Sequence, residues 1–131
     1  MCSIGLVNLL VRDYDEARDF YTQKMGFKLV EEKDFGGGKR WIVVSPPGAP
    51  ENSTGLLLAK ASQPEEEAAV GNQSGGRVFM FLNTDDFARD YGSMKANGVE
   101  FLEEPRYEVY GDVVVLRDLY GNKFDLIQRK T

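Results

Sequence analysis

The residue types that most enzymes use for acid–base and metal chemistry are scarce in this 131-residue chain. It contains no histidine and one cysteine, Cys2. Ser-His-Asp triads, Cys-His pairs, two-histidine iron sites and tetrahedral Cys/His zinc sites are therefore excluded. A lone Cys2 cannot form an intramolecular disulfide, which favours a reducing compartment, and no histidine is present to activate it as a nucleophile. The remaining chemistry rests on carboxylate, guanidinium and aromatic groups.

Asp125 is the carboxylate with the most unusual surroundings. It lies between Phe124 and Leu126 in an alternating segment, so we expect its side chain to point away from theirs. A carboxylate aimed into an apolar cleft needs a partner or acquires a raised pKa. Asp125 either pairs with an arginine for structure alone or faces a ligand, and the sequence leaves both open. The arginines available to it are Arg40, Arg77, Arg106 and Arg117.

Three further side chains are candidates for ligand contact. Trp41 is the only tryptophan, and its flat face suits stacking on a planar or cationic ligand, although an ordinary core position is the alternative. Arg106 and Tyr110 lie together just before a predicted strand. On the residues alone, this arrangement is typical of a surface hairpin with half-exposed aromatic rings.

The overall charge restricts the partners of the protein. Sixteen basic against 21 acidic residues give a net charge of −5, which argues against nucleic acid and anionic membranes and permits a cationic ligand. The longest apolar stretch, Ile4–Val11, is too short to span a membrane. The first residues show none of the features of a signal peptide, so we expect a cytoplasmic protein.

An internal repeat organises the elements that position these residues. Ala17–Phe20 (ARDF) returns as Ala88–Tyr91 (ARDY), 71 residues later. Gly26–Glu32 likewise returns as Gly98–Glu104, 72 residues later. The chain is therefore predicted to be one domain of two βαβββ modules, residues 4–60 and 77–128, joined by a linker at 61–76.

Hydrophobic periodicity and turn residues place the elements within each module. We predict a helix that begins at Asp13, which with Glu16 forms a cap-like start, and ends at Gly26, and a second helix over Asp86–Asn97. In the first helix Tyr14, Ala17, Tyr21 and Met25 form an apolar stripe. In the linker a short surface helix over Glu65–Val70 and a mobile segment are equally compatible with the sequence. The predicted strands are Ile4–Val11, Phe27–Glu32, Lys39–Ser45, Thr54–Lys60, Arg77–Asn83, Val99–Leu102, Asp112–Arg117 and Lys123–Gln128.

Two motifs resemble the vicinal oxygen chelate superfamily, which includes glyoxalase I, bleomycin resistance proteins and extradiol dioxygenases. The first runs from Leu9 to Ala17 (LLVRDYDEA) and continues with Phe20-Tyr21 and Met25-Gly26-Phe27. The second is the ending Asp118–Leu126 (DLYGNKFDL). The resemblance implies an α+β fold of paired βαβββ modules with curved mixed sheets around a cleft, in a homodimer.

The same resemblance identifies four positions where family enzymes carry metal ligands. In this chain they are Leu6, Leu57, Phe79 and Asp125, of which only the last is a possible ligand. One carboxylate cannot hold a divalent cation, so we expect the metal site to be lost and no cofactor to be needed. The resemblance also implies that the loop with Arg106 and Tyr110 borders the cleft, which makes both residues candidate ligand contacts. The cleft is then apolar and aromatic, and the residues expected to line it are Leu6, Trp41, Leu57, Phe79, Arg106, Tyr110 and Asp125.

The sequence thus predicts a metal-independent protein that binds a planar or cationic small molecule. Two alternatives stay open. One is a metal-dependent lyase or isomerase of the glyoxalase type, and the other is a degenerate regulatory or interaction domain with a closed core. Catalytic residues are not assigned, since Asp125 has no evident partner for acid–base chemistry.

Overall fold

The computed structural model describes residues 1–130 and divides the chain into two compact units, Met1–Val70 and the part from Gly71 onward. Each unit contains one mixed sheet with a helix packed on one of its faces. The fold is α+β, as predicted. The predicted modules at 4–60 and 77–128 each lie within one unit.

The elements of the first unit are β1 (Leu6–Val11), α1 (Tyr14–Asp19), β2 (Lys28–Asp34), β3 (Arg40–Ser45), β4 (Gly55–Lys60) and α2 (Pro64–Ala69). The strand order in its sheet is β1-β4-β3-β2. Strand β1 runs parallel to β4, and the other two pairs are antiparallel. The helix α1 continues into a turn of π-helix at Phe20–Lys24.

Local chemistry explains where α1 begins and where its continuation ends. The carboxylate of Asp13 accepts a hydrogen bond from the backbone N–H of Glu16 at 2.8 Å, which satisfies one of the free donors at the helix start. Gly26 follows the helical segment with a φ of +75°, a conformation that favours glycine. The side chains of Ala17, Tyr21 and Met25 are buried against the sheet, in agreement with the predicted apolar stripe.

The elements of the second unit are β5 (Val78–Asn83), α3 (Phe87–Ala96), β6 (Glu100–Phe101), β7 (Arg106–Glu108), β8 (Gly111–Arg117) and β9 (Lys123–Arg129). This unit repeats the topology of the first, with the strand order β5-β9-β8-β6. Its first and last strands, β5 and β9, are again parallel neighbours. The duplicated module that the sequence predicted is therefore present as duplicated topology.

The two units differ at the second strand of the module. One continuous strand was predicted at Val99–Leu102, but the chain forms β6, leaves the sheet, and pairs with β8 again as β7. Pro105 has no N–H to contribute to a ladder, which explains the break. Glu103 lies in this break, and its carboxylate accepts a hydrogen bond from the backbone N–H of Val115 at 3.1 Å.

The linker belongs to both units. Its first half forms α2, so the helix alternative for this segment is correct, and its second half begins at Gly71 in the second unit. Pro64 occupies the first turn of α2, where its missing N–H costs nothing. The longest helix, α3, has ten residues, and no helix within residues 1–130 is long and apolar enough to cross a bilayer.

Candidate functional site

The first sheet presents one face to α1 and leaves the other open. Leu9, Val11, Ile42 and Val44 are buried toward the helix. Since strand residues alternate between faces, their neighbours along the chain point the other way. The register places Asn8, Leu57 and Val43 side by side in one row of this open face, and Leu6 and Trp41 lie on the same face.

A pocket of about 560 Å³ lies on this open face. Its apolar lining includes Leu6, Val43 and Trp41, and its volume is in the range that accommodates drug-sized ligands. The loop 46–53 is built from two turns, closed by hydrogen bonds from the N–H of Ala49 to the carbonyl of Pro46 and from the N–H of Ser53 to the carbonyl of Pro50. Its residues 49–53 border the pocket. The remaining lining residues are Gly5, Lys28, Val30, Glu31 and Ser45.

The indole ring of Trp41 is held in place at the pocket wall. Its Nε1 donates a hydrogen bond to Oε2 of Glu31 at 2.6 Å. The polar edge of the ring is therefore satisfied, and the half-exposed ring remains available for apolar contact. Trp41 is thus a pocket residue rather than a fully buried core tryptophan.

A β-bulge gives the pocket its charged groups. Lys28 pairs with Ser45, and Glu31 pairs with Val43, with a register shift around Val30 between them. Simple alternation would put Lys28 and Glu31 on opposite faces, since they are three residues apart, but the bulge brings both to the open face. With Glu51 from the loop, the pocket carries one positive and two negative side chains.

The open face of the second sheet has a different composition. Phe81, Asp125 and Val115 form one row across β5, β9 and β8. The ring of Phe81 is 60% exposed, whereas Val115 is half-buried. The carboxylate of Asp125 therefore lies between an exposed aromatic ring and an aliphatic side chain.

Burial and nearby charges act on Asp125 in opposite directions. Burial removes water from its carboxyl group and raises the pKa above the ordinary value. The guanidinium of Arg106 opposes this rise in pKa, and the carboxylate of Glu103 adds to it. Oδ1 of Asp125 is buried and has no hydrogen-bond partner within residues 1–130.

Arg106 is the centre of a polar cluster at the break between β6 and β7. Its Nε donates to Oε1 and Oε2 of Glu103 at 3.2 and 3.0 Å, and its Nη1 donates to the hydroxyl of Tyr110 at 3.3 Å. Glu108 lies 3.6 Å from the same guanidinium. The hydrogen bonds raise the pKa of Arg106, so it carries a full positive charge at any relevant pH.

The structure distributes the seven predicted site residues over both units. Leu6 and Trp41 line the pocket, and Leu57 lies on the same sheet face beside Val43. In the second unit Arg106 donates a hydrogen bond to the hydroxyl of Tyr110, and its positive charge lowers the pKa of Asp125 against the effect of burial.

Phe79 differs from the other predicted site residues because its ring packs on a buried aromatic residue. It lies at a β-bulge between Val78 and Met80, and its ring meets the fully buried ring of Phe124 edge to face, with centroids 6.1 Å apart. Its ring therefore packs on a core residue of the second unit.

Sequence reasoning missed the polar partners of these residues. Glu31, which fixes Trp41, and Glu103, which binds Arg106, were not among the candidates. Both lie at irregularities of the strands, a bulge and a break, so period-2 patterning gives no signal for them. Pro105 next to Glu103 is the one local feature that could have indicated the break.

The residues at the positions that the resemblance equates with metal ligands do not form a donor set for a divalent metal. Leu6 and Leu57 offer no donor atom, and the ring of Phe79 packs on Phe124. Within residues 1–130 no group of three or more histidine, cysteine, aspartate or glutamate side chains is placed to hold a metal ion.

Comparison with known proteins agrees with the duplicated βαβββ topology. A family model described as Glyoxalase/Bleomycin resistance protein/Dioxygenase superfamily matches residues 3–126. The chain belongs to this superfamily. An uncharacterised superfamily relative from Shewanella frigidimarina is 54% identical over 127 residues, covering 96% of this chain and 93% of that protein.

Two crystal structures extend the comparison. UcmS2 has a TM-score of 0.81 and 26% identity, covering 97% of this chain and 98% of its own. TnmS3, an antibiotic binding protein from Streptomyces sp. CB03234, has a TM-score of 0.77 and 28% identity, covering 99% and 98%. The described property of TnmS3 is thus the binding of an antibiotic.

Proposed function

We propose that this protein binds a small molecule without a metal ion, and that the ligand is planar or cationic. The observation that carries the proposal is the pocket of about 560 Å³ on the open face of β1, β3 and β4, with Trp41 fixed at its wall. The description of TnmS3 as antibiotic binding supports the same class of function.

The apolar and aromatic lining of the pocket favours a flat ligand that can stack on Trp41. Leu6 and Val43 supply aliphatic surface, and the indole of Trp41 supplies a rigid aromatic plane. A stacked aromatic pair contributes about 0.5–1.5 kcal/mol beyond the burial of apolar area. Because Glu31 already accepts the indole N–H, a ligand does not have to satisfy that donor.

The charges favour a cation over an anion. Lys28 brings one positive charge to the pocket, whereas Glu31 and Glu51 bring two negative charges. A cation over an indole ring gains a further ~0.5–2 kcal/mol, and the net charge of −5 attracts cations from solution. The expected ligand is therefore a planar aromatic cation.

Isothermal titration calorimetry with aminoacridine, a planar cation, and anthraquinone sulfonate, a planar anion, tests the proposal. We expect aminoacridine to bind more tightly than the anion. Trp41→Leu should weaken its binding roughly tenfold, about 1.4 kcal/mol. Phe35→Leu is the matched control, because Phe35 is an exposed aromatic residue of the same unit outside the pocket.

Two results would count against the proposal. Absence of binding for both compounds, tested together with neutral planar aromatics, would remove the support for a small-molecule site. Equal loss of affinity in Trp41→Leu and Phe35→Leu would show that binding does not depend on the pocket.

A further inference from the structure

Ser45 brings a buried hydroxyl group to the pocket of the first unit. It is the last residue of β3, lines the pocket and is only 7% exposed. Like Trp41 and Val43, it points to the open face of the sheet, because strand residues two apart share a face. Its hydroxyl takes part in no hydrogen bond within residues 1–130. Since buried polar groups almost always have a partner, this hydroxyl is available to a ligand.

Lys28 lies directly opposite Ser45 and adds a second donor. The two residues pair across β2 and β3, a relation that puts their Cβ atoms about 4.5–5.5 Å apart on the same face, and both line the pocket. In the part of the chain that the structure describes, no carboxylate, Glu51 of the loop included, forms an ion pair with the Lys28 ammonium. The pocket therefore holds a hydroxyl and an ammonium group side by side, neither of them bound to an acceptor.

The second unit shows the same pair of positions with an acceptor in place. Glu100 of β6 and Arg117 of β8 follow Lys28 and Ser45 by 72 residues, the spacing of the sequence repeat, and they pair in the same register. Nη2 of Arg117 lies 2.6 Å from Oε2 of Glu100, so the two side chains satisfy each other as an ion pair. In the first unit both positions carry donors instead, and no carboxylate takes the place of Glu100.

The donor pair of Ser45 and Lys28 is separated from Trp41 along the sheet. Ser45 follows Trp41 by four residues of β3, a distance of about 13 Å between backbone positions. Glu31, which accepts the indole N–H of Trp41, pairs with Val43 and lies between them. The pocket is thus negative beside the indole and positive near the end of β3. A ligand that contacts both regions is elongated, with its cationic part near Trp41.

We infer that Ser45 and Lys28 together recognise an oxygen acceptor of the bound molecule, a carbonyl, phenolate or carboxylate oxygen. The ligand class is then a planar aromatic cation that carries this oxygen at the end remote from Trp41. The inference rests on the proposed function and narrows it, because a planar cation without the oxygen would cover the Ser45 hydroxyl and leave it unpaired, which weakens binding.

Two planar cations that differ only in the acceptor test the inference. In 3-acetyl-9-aminoacridine the substituent ends in a carbonyl oxygen, and in 3-isopropenyl-9-aminoacridine a CH2 group of similar shape replaces that oxygen. The 2-substituted isomers of both compounds are measured as well, because the placement of the ring on Trp41 decides which edge faces Ser45. We expect calorimetry to show that the acetyl compound of at least one isomer pair binds the wild type about tenfold more tightly, about 1.4 kcal/mol.

Substitution of each donor links this preference to the pair. Ser45→Ala and Lys28→Met should each reduce the affinity for the acetyl compound severalfold and leave the affinity for the isopropenyl compound unchanged within about twofold. Ser3→Ala and Lys39→Met are the matched controls, since both residues are exposed, belong to the same unit and lie outside the pocket lining. Both control variants should retain the full preference for the acetyl compound.

The outcomes separate this inference from the proposed function. Equal affinity of the wild type for the acetyl and isopropenyl compounds of both isomer pairs overturns the inference and leaves small-molecule binding standing. Binding of none of the compounds overturns both. A preference that persists undiminished in Ser45→Ala or in Lys28→Met also overturns the inference, because the oxygen would then be recognised without the donor pair.

Discussion

At Gly71 the backbone passes so close to the turn between β8 and β9 that a side chain has no room. A Cβ atom there would lie 1.9 Å from the carbonyl oxygen of Tyr120, and the φ angle of +77° disfavours any residue but glycine. The turn itself is rigid, because one carboxylate oxygen of Asp118 accepts hydrogen bonds from three backbone N–H groups. The clash cannot be relieved by a small movement of a flexible side chain.

Gly71→Ala is therefore expected to reduce the free energy of unfolding by about 2–5 kcal/mol, from overpacking and backbone strain together. Urea denaturation followed by circular dichroism measures the change. Gly92→Ala is the matched control: Gly92 lies in α3 with open space around it, so alanine should stabilise the protein by about 0.5–1 kcal/mol. Similar effects of the two substitutions would show that the approach to Tyr120 is not tight.

Individual side chains also show what sequence reasoning can reach. Asp125 could be identified as unusual because its apolar neighbours and the alternation of a strand are visible in the sequence. Glu31 could not, since its position beside Trp41 depends on the bulge at Val30. The role of Asn122 was also out of reach, since its Oδ1 accepts a hydrogen bond from the backbone N–H of Gln73, a residue distant in the sequence.

Among the elements, α1 is tied to the edge of the first sheet by a charged cluster. Oε2 of Glu32 in β2 accepts hydrogen bonds from Arg18 of α1 at 2.7 Å and from Arg40 of β3 at 2.6 Å. The hydrogen bond from Arg18 is the largest of the influences that lower the pKa of Glu32, and Arg40 adds to it. The cluster joins three elements through one carboxylate oxygen.

The lowered pKa of Glu32 has a definite consequence for stability. The carboxylate stabilises the folded state fully above its ordinary pKa, and this contribution is lost as the pH falls through the lower folded value. Glu32→Gln should therefore destabilise the protein by about 0.5–1 kcal/mol near neutral pH, and less as the solution becomes acidic.

Thermal denaturation over a pH series measures this difference between wild type and variant. Glu104→Gln, which removes the same formal charge from an exposed position, should leave the melting temperature almost unchanged. A difference in melting temperature between wild type and Glu32→Gln that grows toward acidic pH would contradict a stabilising role of the Glu32 carboxylate.

The regular elements were predictable and the irregular ones were not. The cap at Asp13, the glycine at position 26 and the hydrophobic periodicity are local features, and they placed both principal helices correctly. β7 escaped prediction because a segment of three residues depends on its partner, β8, more than on its own composition.

For the whole molecule, the repeat was the decisive signal in the sequence. It predicted two βαβββ modules, and both sheets have the corresponding strand order. The homodimer, the cytoplasmic location and the independence from metal ions stay predictions.

Metal content is the measurement that separates the proposed function from the glyoxalase-type alternative. We expect protein purified without chelator to contain well below one equivalent of any transition metal by elemental mass spectrometry. EDTA should leave its melting temperature unchanged, since Leu6, Leu57 and Phe79 offer no metal ligand. One equivalent of metal, with a melting temperature that falls on chelation, would instead favour the metal-dependent enzyme.

The single tryptophan at the pocket wall makes the protein its own optical reporter. All tryptophan fluorescence must come from Trp41, whose half-exposed ring borders the pocket and whose N–H is fixed by Glu31. A ligand that covers the ring would displace water from it and shift the emission to shorter wavelength, or quench it by stacking. Occupancy of this one pocket can therefore be followed without any label.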